Sequence, residues 1–67
     1  MQVTVNGRTV RLDDAARDVA ALVRSLGFEG KRIAVERNGE IVPKSRYGDT
    51  PVLPGDRLEI VGAVGGG

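Results

Sequence analysis

Apolar and polar positions alternate over Gln2–Leu12. Val3 and Val5 share one face of an extended segment with Thr4 on the other, and Val10 and Leu12 resume the alternation after Asn6-Gly7. A period of two marks a half-buried strand. Asn-Gly supplies the two positive φ values that a type I′ turn requires, so the segment predicts a tight hairpin of two antiparallel strands. The period then changes. Val19, Leu22, Val23 and Leu26 stand at i, i+3, i+4 and i+7, one apolar stripe on a short helix. Asp18 suits the N-cap, with its carboxylate near the first free N–H groups, and Gly27 suits the left-handed residue past the helix end. Asp13 and Asp14, leading into Ala15 and Ala16, offer an earlier helix start.

Alternation returns at Ile33 and Val35. A second Asn-Gly at Asn38-Gly39 predicts another tight turn into a short strand at Ile41 and Val42, which Pro43 ends or places at a sheet edge. Lys44 to Pro51 has no clear period and reads as a loop. Pro54-Gly55 carries type II turn chemistry, and Leu58 and Ile60 then alternate with Arg57, Glu59 and Val61 in a last strand. One short helix cannot cover both faces of a sheet, so the economical packing is one layer of helix on one layer of sheet. The expected fold class is α+β, a β-grasp (ubiquitin-like) domain. It has a mixed sheet of four to five strands, the first and last as central neighbours, with one helix packed on one face. The expected core is Val3, Val5, Val10, Leu12, Val19, Leu22, Val23, Leu26, Ile33, Val35, Leu53, Leu58 and Ile60. Residues 1–61 form the domain, and residues 62–67 are expected to be a flexible C-terminal glycine tail.

Composition then removes most kinds of chemistry. With 67 residues the chain has room for one domain. It contains no cysteine and no histidine, which excludes Cys or His nucleophiles, a His general base, every Cys/His metal site and an iron–sulfur version of the fold. Ser25 and Ser45 have no His to activate them, the carboxylates are scattered, and no calcium-loop spacing occurs. Autonomous enzyme activity and a metal site are not expected. Ten basic and nine acidic residues leave a formal charge of +1, with the signs interleaved, and aromatic residues make up 3%. This is poor material for neutralising phosphates or stacking bases, so no nucleic-acid partner is expected. The longest uncharged run, Ile60 to Gly67, is too short to span a bilayer, and no stretch resembles a signal peptide. No membrane partner is expected, and the default compartment is the cytoplasm.

The glycine end remains. A phosphate-binding glycine loop leads into a helix, whereas here Gly65-Gly66-Gly67 ends the sequence. Glycine has no side chain, so such a segment can enter a narrow channel in a partner. At roughly 3.3 Å per residue, Ala63 to Gly67 reaches about 15 Å beyond the fold. A carboxylate placed there can be activated by ATP as an acyl-adenylate and then attacked by a nucleophile.

Four segments carry a resemblance that spans nearly the whole chain: the opening MQVTVNG, the middle AVERNGEIVPKSRY, the turn and strand PGDRLEIV, and the ending AVGGG. In these the chain resembles the thiamine-biosynthesis sulfur carriers, bacterial ubiquitin-like proteins. Asn38-Gly39-Glu40 through Val42-Pro43, with Tyr47 soon after, is fairly specific to that family, whereas a glycine terminus is shared by all ubiquitin-like carriers. Asp18 stands where the family often has Thr, and Asp13-Asp14-Ala15 replaces a more usual glycine turn.

The resemblance implies a carrier rather than an enzyme. An E1-like adenylating enzyme transfers AMP from ATP to the Gly67 carboxylate, and a sulfur donor system converts the adenylate to a thiocarboxylate. The carrier then docks on thiazole synthase, which takes the sulfur. Gly65 and Gly66 would thread the channel. ATP and magnesium would be used by the partner, and this chain, expected to be a monomer when free, would bind no cofactor of its own. The sheet face away from the helix is the candidate docking surface: Thr4, Arg57, Glu59 and Val61, with the edge near Ile41 and the segment of Lys44, Arg46 and Tyr47. Other sulfur-carrier pathways (molybdopterin or a specialised metabolite), a protein modifier joined through Gly67, and a plain binding module are the alternatives.

Overall fold

The structure, a computed structural model, describes residues 1–62. The chain runs β1 (Gln2–Val5), β2 (Arg8–Arg11), α1 (Val19–Ser25), β3 (Ile33–Arg37), β4 (Glu40–Val42), a 3₁₀ helix (Lys44–Asp49) and β5 (Arg57–Gly62). The five strands form one sheet in the order β2-β1-β5-β3-β4. β1 and β5 are parallel neighbours, and the other three pairings are antiparallel. This is the arrangement expected from the sequence. Both Asn-Gly turns adopt the positive φ pairs they predict, 52° and 81° at Asn6-Gly7 and 53° and 89° at Asn38-Gly39.

α1 forms where the stripe places it. The Asp18 side chain accepts the Ala21 N–H at 2.8 Å and caps the helix. Gly27, at φ 81°, closes the other end: its N–H donates to the Arg24 carbonyl and the Phe28 N–H to the Val23 carbonyl. These two bonds make a Schellman motif. The helix has seven residues and is too short to stand alone. Its stability comes from burying Val19, Leu22 and Val23 against Val3, Val35 and Leu58 of the sheet. Asp13 does not start a helix. Its side chain accepts from the Ala15 N–H and its carbonyl from the Ala16 N–H, a local turn that leaves Ala16 buried.

The core differs from expectation at one position that matters. Leu53 is 51% exposed and Val52 is 3% exposed, the reverse of the assignment made from the sequence. The Val52 N–H donates to the Arg17 carbonyl and the Val19 N–H to the Thr50 carbonyl, so Thr50–Val52 is pinned beside the start of α1. That pinning aims Val52 inward. Leu53 opens the Leu53–Asp56 turn, closed by the Asp56 N–H on the Leu53 carbonyl, and faces outward. Val42 and Ala16 join the core, while Val10, Leu26 and Ile33 pack against it half-buried. The expected loop at Lys44–Pro51 is mostly the 3₁₀ helix, started by the Arg46 N–H on the Pro43 carbonyl. It buries too little to leave an apolar period in the sequence.

Candidate functional site

β5 precedes the glycine segment in the sequence, and the fold holds β5 on both sides. Its register with β3 runs from Arg37↔Leu58 to Ile33↔Gly62, so the strand is paired through Gly62, one residue past the domain boundary expected from the sequence. On the other side β1 pairs only at Thr4↔Arg57 and Val5↔Leu58. Asn6 extends that ladder after the backbone has turned away. Its side-chain amide donates to the Ile60 carbonyl at 2.9 Å, its side-chain oxygen accepts the Ile60 N–H at 2.8 Å, and its own N–H donates to the Leu58 carbonyl. One asparagine thus supplies both the left-handed turn residue and two strand-like hydrogen bonds.

Asn38 does the same at the start of β5. Its side-chain oxygen accepts the Arg57 N–H at 2.8 Å, and its backbone N–H donates to the Arg57 carbonyl at 2.7 Å. Its side-chain amide donates to Asp56, the one buried charged residue among the described residues. Asp56 also accepts from the Leu53 N–H and from Arg37 Nε, each at 2.8 Å. Burial opposes its charge, but the hydrogen bonds from Leu53, Asn38 and Arg37, with the guanidinium's positive charge, hold the carboxyl below its ordinary value. The network ties the β3–β4 hairpin to the root of β5.

The depressed Asp56 pKa sets the sign of an acid effect. Its stabilising contribution is present in full above the unfolded carboxylate pKa of about 3.9 and is lost as pH falls through the lower folded value. Asp56→Asn is expected to lower Tm near neutral pH, because it removes the charge that Arg37 faces. The gap between variant and parent is then expected to narrow in acid. Thermal scans near neutral pH and near pH 3 check it. A gap that stays constant would mean that Asp56 is not the titrating group.

Alternation on β5 turns Leu58 and Ile60 into the core and leaves Arg57, Glu59 and Val61 exposed on the opposite face. Register assembles the rest of that face. Arg57 lies opposite half-buried Thr4, Val61 opposite Ala34, and Glu59 opposite Glu36, which in turn lies opposite Ile41 at the sheet edge. Ile41 is 65% exposed and Val61 58%, so two large apolar side chains stand free on a polar face. Arg46 joins the edge: it lines a shallow groove with Ile41. Tyr47 and Lys44 do not. Both line a groove on the helix side, and Tyr47 is half-buried against the core, where burial raises its hydroxyl pKa. The structure thus places both away from the exposed face that carries Ile41 and Val61.

Glu36 is a residue of the candidate docking face that sequence reading missed. It follows from β3 alternation once Val35 is known to point inward. Two carboxylates directly opposite across strands repel, and neither Glu36 nor Glu59 has an ion pair among the described residues. A cationic partner group would relieve that repulsion. Gly65, Gly66 and Gly67 lie outside the described residues. Among those described, no group of three His, Cys, Asp or Glu side chains converges on a metal-sized site, and no helix is long and apolar enough to cross a membrane.

A five-stranded mixed sheet with parallel β1 and β5 as central neighbours, gripping one helix, defines the ubiquitin-like β-grasp class. The chain belongs to the ThiS family, whose model matches residues 2–67. It is 38% identical over 63 residues to the sulfur carrier protein ThiS of Bacillus subtilis, covering 94% of this chain and 96% of that protein. It is 48% identical over 67 residues to a thiazole synthase of Paramagnetospirillum magneticum. That match takes in the whole chain but only 20% of the synthase's length. A thiazole synthase of Magnetococcus marinus matches at 33% identity, again over 20% of its length. The crystal structure of the thiamine biosynthesis protein ThiS from Geobacter metallireducens superposes with a TM-score of 0.84 at 33% identity, covering 100% of both chains.

Proposed function

We propose that this chain carries sulfur for thiazole formation in thiamine biosynthesis, with the Gly67 carboxylate as the carrying group. The observation that carries the reading is the pair of relatives. A sulfur carrier of nearly the same length and a thiazole synthase that contains a matching segment both align with almost the whole chain. A synthase polypeptide with a segment like this one supports thiazole synthase as the protein that receives the sulfur.

The chemistry rests on the end of the chain. A Gly67 carboxylate oxygen attacks the α-phosphorus of ATP in an E1-like partner and pyrophosphate leaves. A sulfide-level nucleophile, HS⁻, delivered by a donor system then attacks the acyl carbon and AMP leaves, so that a thiocarboxylate remains. ATP and magnesium belong to the partner's site, and the setting is cytoplasmic. The carrier's own residues supply position. Asn6, Asn38 and the Asp56 network fix β5, so the segment that starts after Gly62 is presented from a rigid root. Gly65 and Gly66 permit entry to a narrow channel. Ile41 and Val61 act as apolar anchors within a polar face, a composition suited to a complex that must form and separate in turn.

Two measurements test this reading. Incubation with an E1-like adenylating enzyme and magnesium ATP is expected to give carrier-dependent pyrophosphate release. No release from an enzyme active on its own carrier would overturn the assignment. Ile41→Asp and Val61→Asp are each expected to raise the KM for the carrier at least about tenfold, which corresponds to about 1.4 kcal/mol of lost docking energy. Because both side chains are exposed, Tm should hold. An unchanged KM in both variants would move the docking surface elsewhere.

A further inference from the structure

The helix side of the molecule carries a groove that the proposed function does not draw on. Phe28 and Tyr47, the chain's only aromatic residues, form its floor with Val23 and Ile33. Val23 is buried and the other three are half-buried, so ring surface remains accessible. Three separate elements hold this floor: the end of α1, the first residue of β3 and the 3₁₀ helix. The Schellman bonds that end α1 fix Phe28 beside Val23, and a turn closed by the Lys31 N–H on the Phe28 carbonyl places Lys31 next to it.

The rim is cationic. Arg24, Lys31, Arg32 and Lys44 line it, all exposed, against Glu29 alone. Arg24 lies 3.8 Å from Glu29, while Lys31, Arg32 and Lys44 make no ion pair among the described residues. The whole chain has a formal charge of +1, so a rim with three more cations than carboxylates leaves the rest of the molecule net acidic. A concave apolar surface edged by charge of one sign concentrates anions of matching shape.

We infer that this groove binds a small aromatic carboxylate, with its ring on Phe28, Tyr47 and Ile33 and its carboxylate among Lys31, Arg32 and Lys44. The cavity is 210 Å³. That is below the roughly 300–1,000 Å³ of sites for drug-sized ligands, which limits the occupant to one or two rings. The Tyr47 hydroxyl supplies a donor that the carboxylate can accept from. Ile33 points to the helix side while Ala34, its neighbour, faces the same way as Val61. Groove and docking face are thus on opposite sides of the sheet, and the ligand binds without occupying the carrier's docking face.

Titration of the full chain with 1-naphthoate, followed in ¹H–¹⁵N spectra, tests this. Two controls share the ring: 1-naphthalenemethanol is neutral and 1-naphthylmethylamine is cationic. Saturable shifts are expected at the Val23, Phe28, Ile33 and Tyr47 amides, with the Ile41 and Val61 amides still. Naphthoate should bind at least about tenfold tighter than the alcohol and weaken with added salt. Lys31→Gln, Arg32→Gln and Lys44→Gln together should abolish that preference. Should the triple variant lose its folded spectrum, Lys44→Gln alone is expected to loosen naphthoate binding severalfold. Equal affinity for all three compounds would reduce the site to an apolar groove without anion recognition and overturn the inference. So would absent or scattered shifts, or unchanged binding by Lys44→Gln.

Discussion

Gly66→Val is expected to cut adenylation of Gly67 by about a hundredfold or more, while Tm stays at the parent value. The argument is steric. A carboxylate reacts only where it lies in line with the α-phosphorus, and a small displacement of the reacting atom is enough to lose that rate. Valine adds a branched side chain next to the reacting residue, in a segment proposed to pass a channel matched to glycine. It also restricts backbone angles that glycine adopts freely. Deleting Gly67, or adding one residue after it, should have the same effect by moving the carboxylate along the channel. Carrier-dependent pyrophosphate release at saturating ATP reads the rate, and a thermal scan reads the fold. An unchanged rate would contradict threading. A large drop in Tm would instead show that residue 66 packs on the body.

Leu22→Ala is expected to remove about 2–5 kcal/mol of stability, a large share of the total in a domain this small. Leu22 is fully buried at the middle of α1 and packs in the same cluster as Val3, Val35 and Leu58. Truncating a buried leucine to alanine costs about 2–5 kcal/mol, from lost burial and the cavity left behind. A domain of this length has in total on the order of 3–10 kcal/mol. The sheet gains no compensating contact, because a seven-residue helix is the layer that covers this face. Chemical denaturation followed by far-UV circular dichroism checks the loss. A cost below about 1 kcal/mol would mean that the helix is not the principal cover of the sheet.

The strand order and helix were legible because the punctuation is local. Asn6-Gly7, Asn38-Gly39 and Pro54-Gly55 each fix a turn from two adjacent residues, and the change from period two to period 3.6 isolates α1. What escaped is non-local. Val52 and Leu53 are adjacent apolar residues, and only the bonds from Thr50–Val52 to the segment before α1 decide which turns inward. Asp56 reads in sequence as a turn residue, yet its partners Arg37 and Asn38 lie 19 and 18 positions away. Glu36 and Glu59 face each other only once the β3–β5 register is known. The direction of Tyr47 depends on a 3₁₀ helix that leaves no apolar period. The reading of the glycine end rests on a different ground: with cysteine and histidine absent, few other reactive groups remain, and its use is a proposal drawn from the family resemblance.

The central claim is that sulfur resides on the terminal carboxyl. It is tested most directly by intact and C-terminal-fragment mass spectrometry, after incubation with a cognate adenylating enzyme, magnesium ATP and a sulfur source. Fragmentation is required because oxidation of Met1 gives a nearly identical mass change. The expected result is one oxygen replaced by sulfur, confined to the fragment that contains Gly67 and dependent on ATP. A Gly67 that stays unmodified beside a demonstrably active enzyme, or that appears joined to a lysine instead, would contradict it.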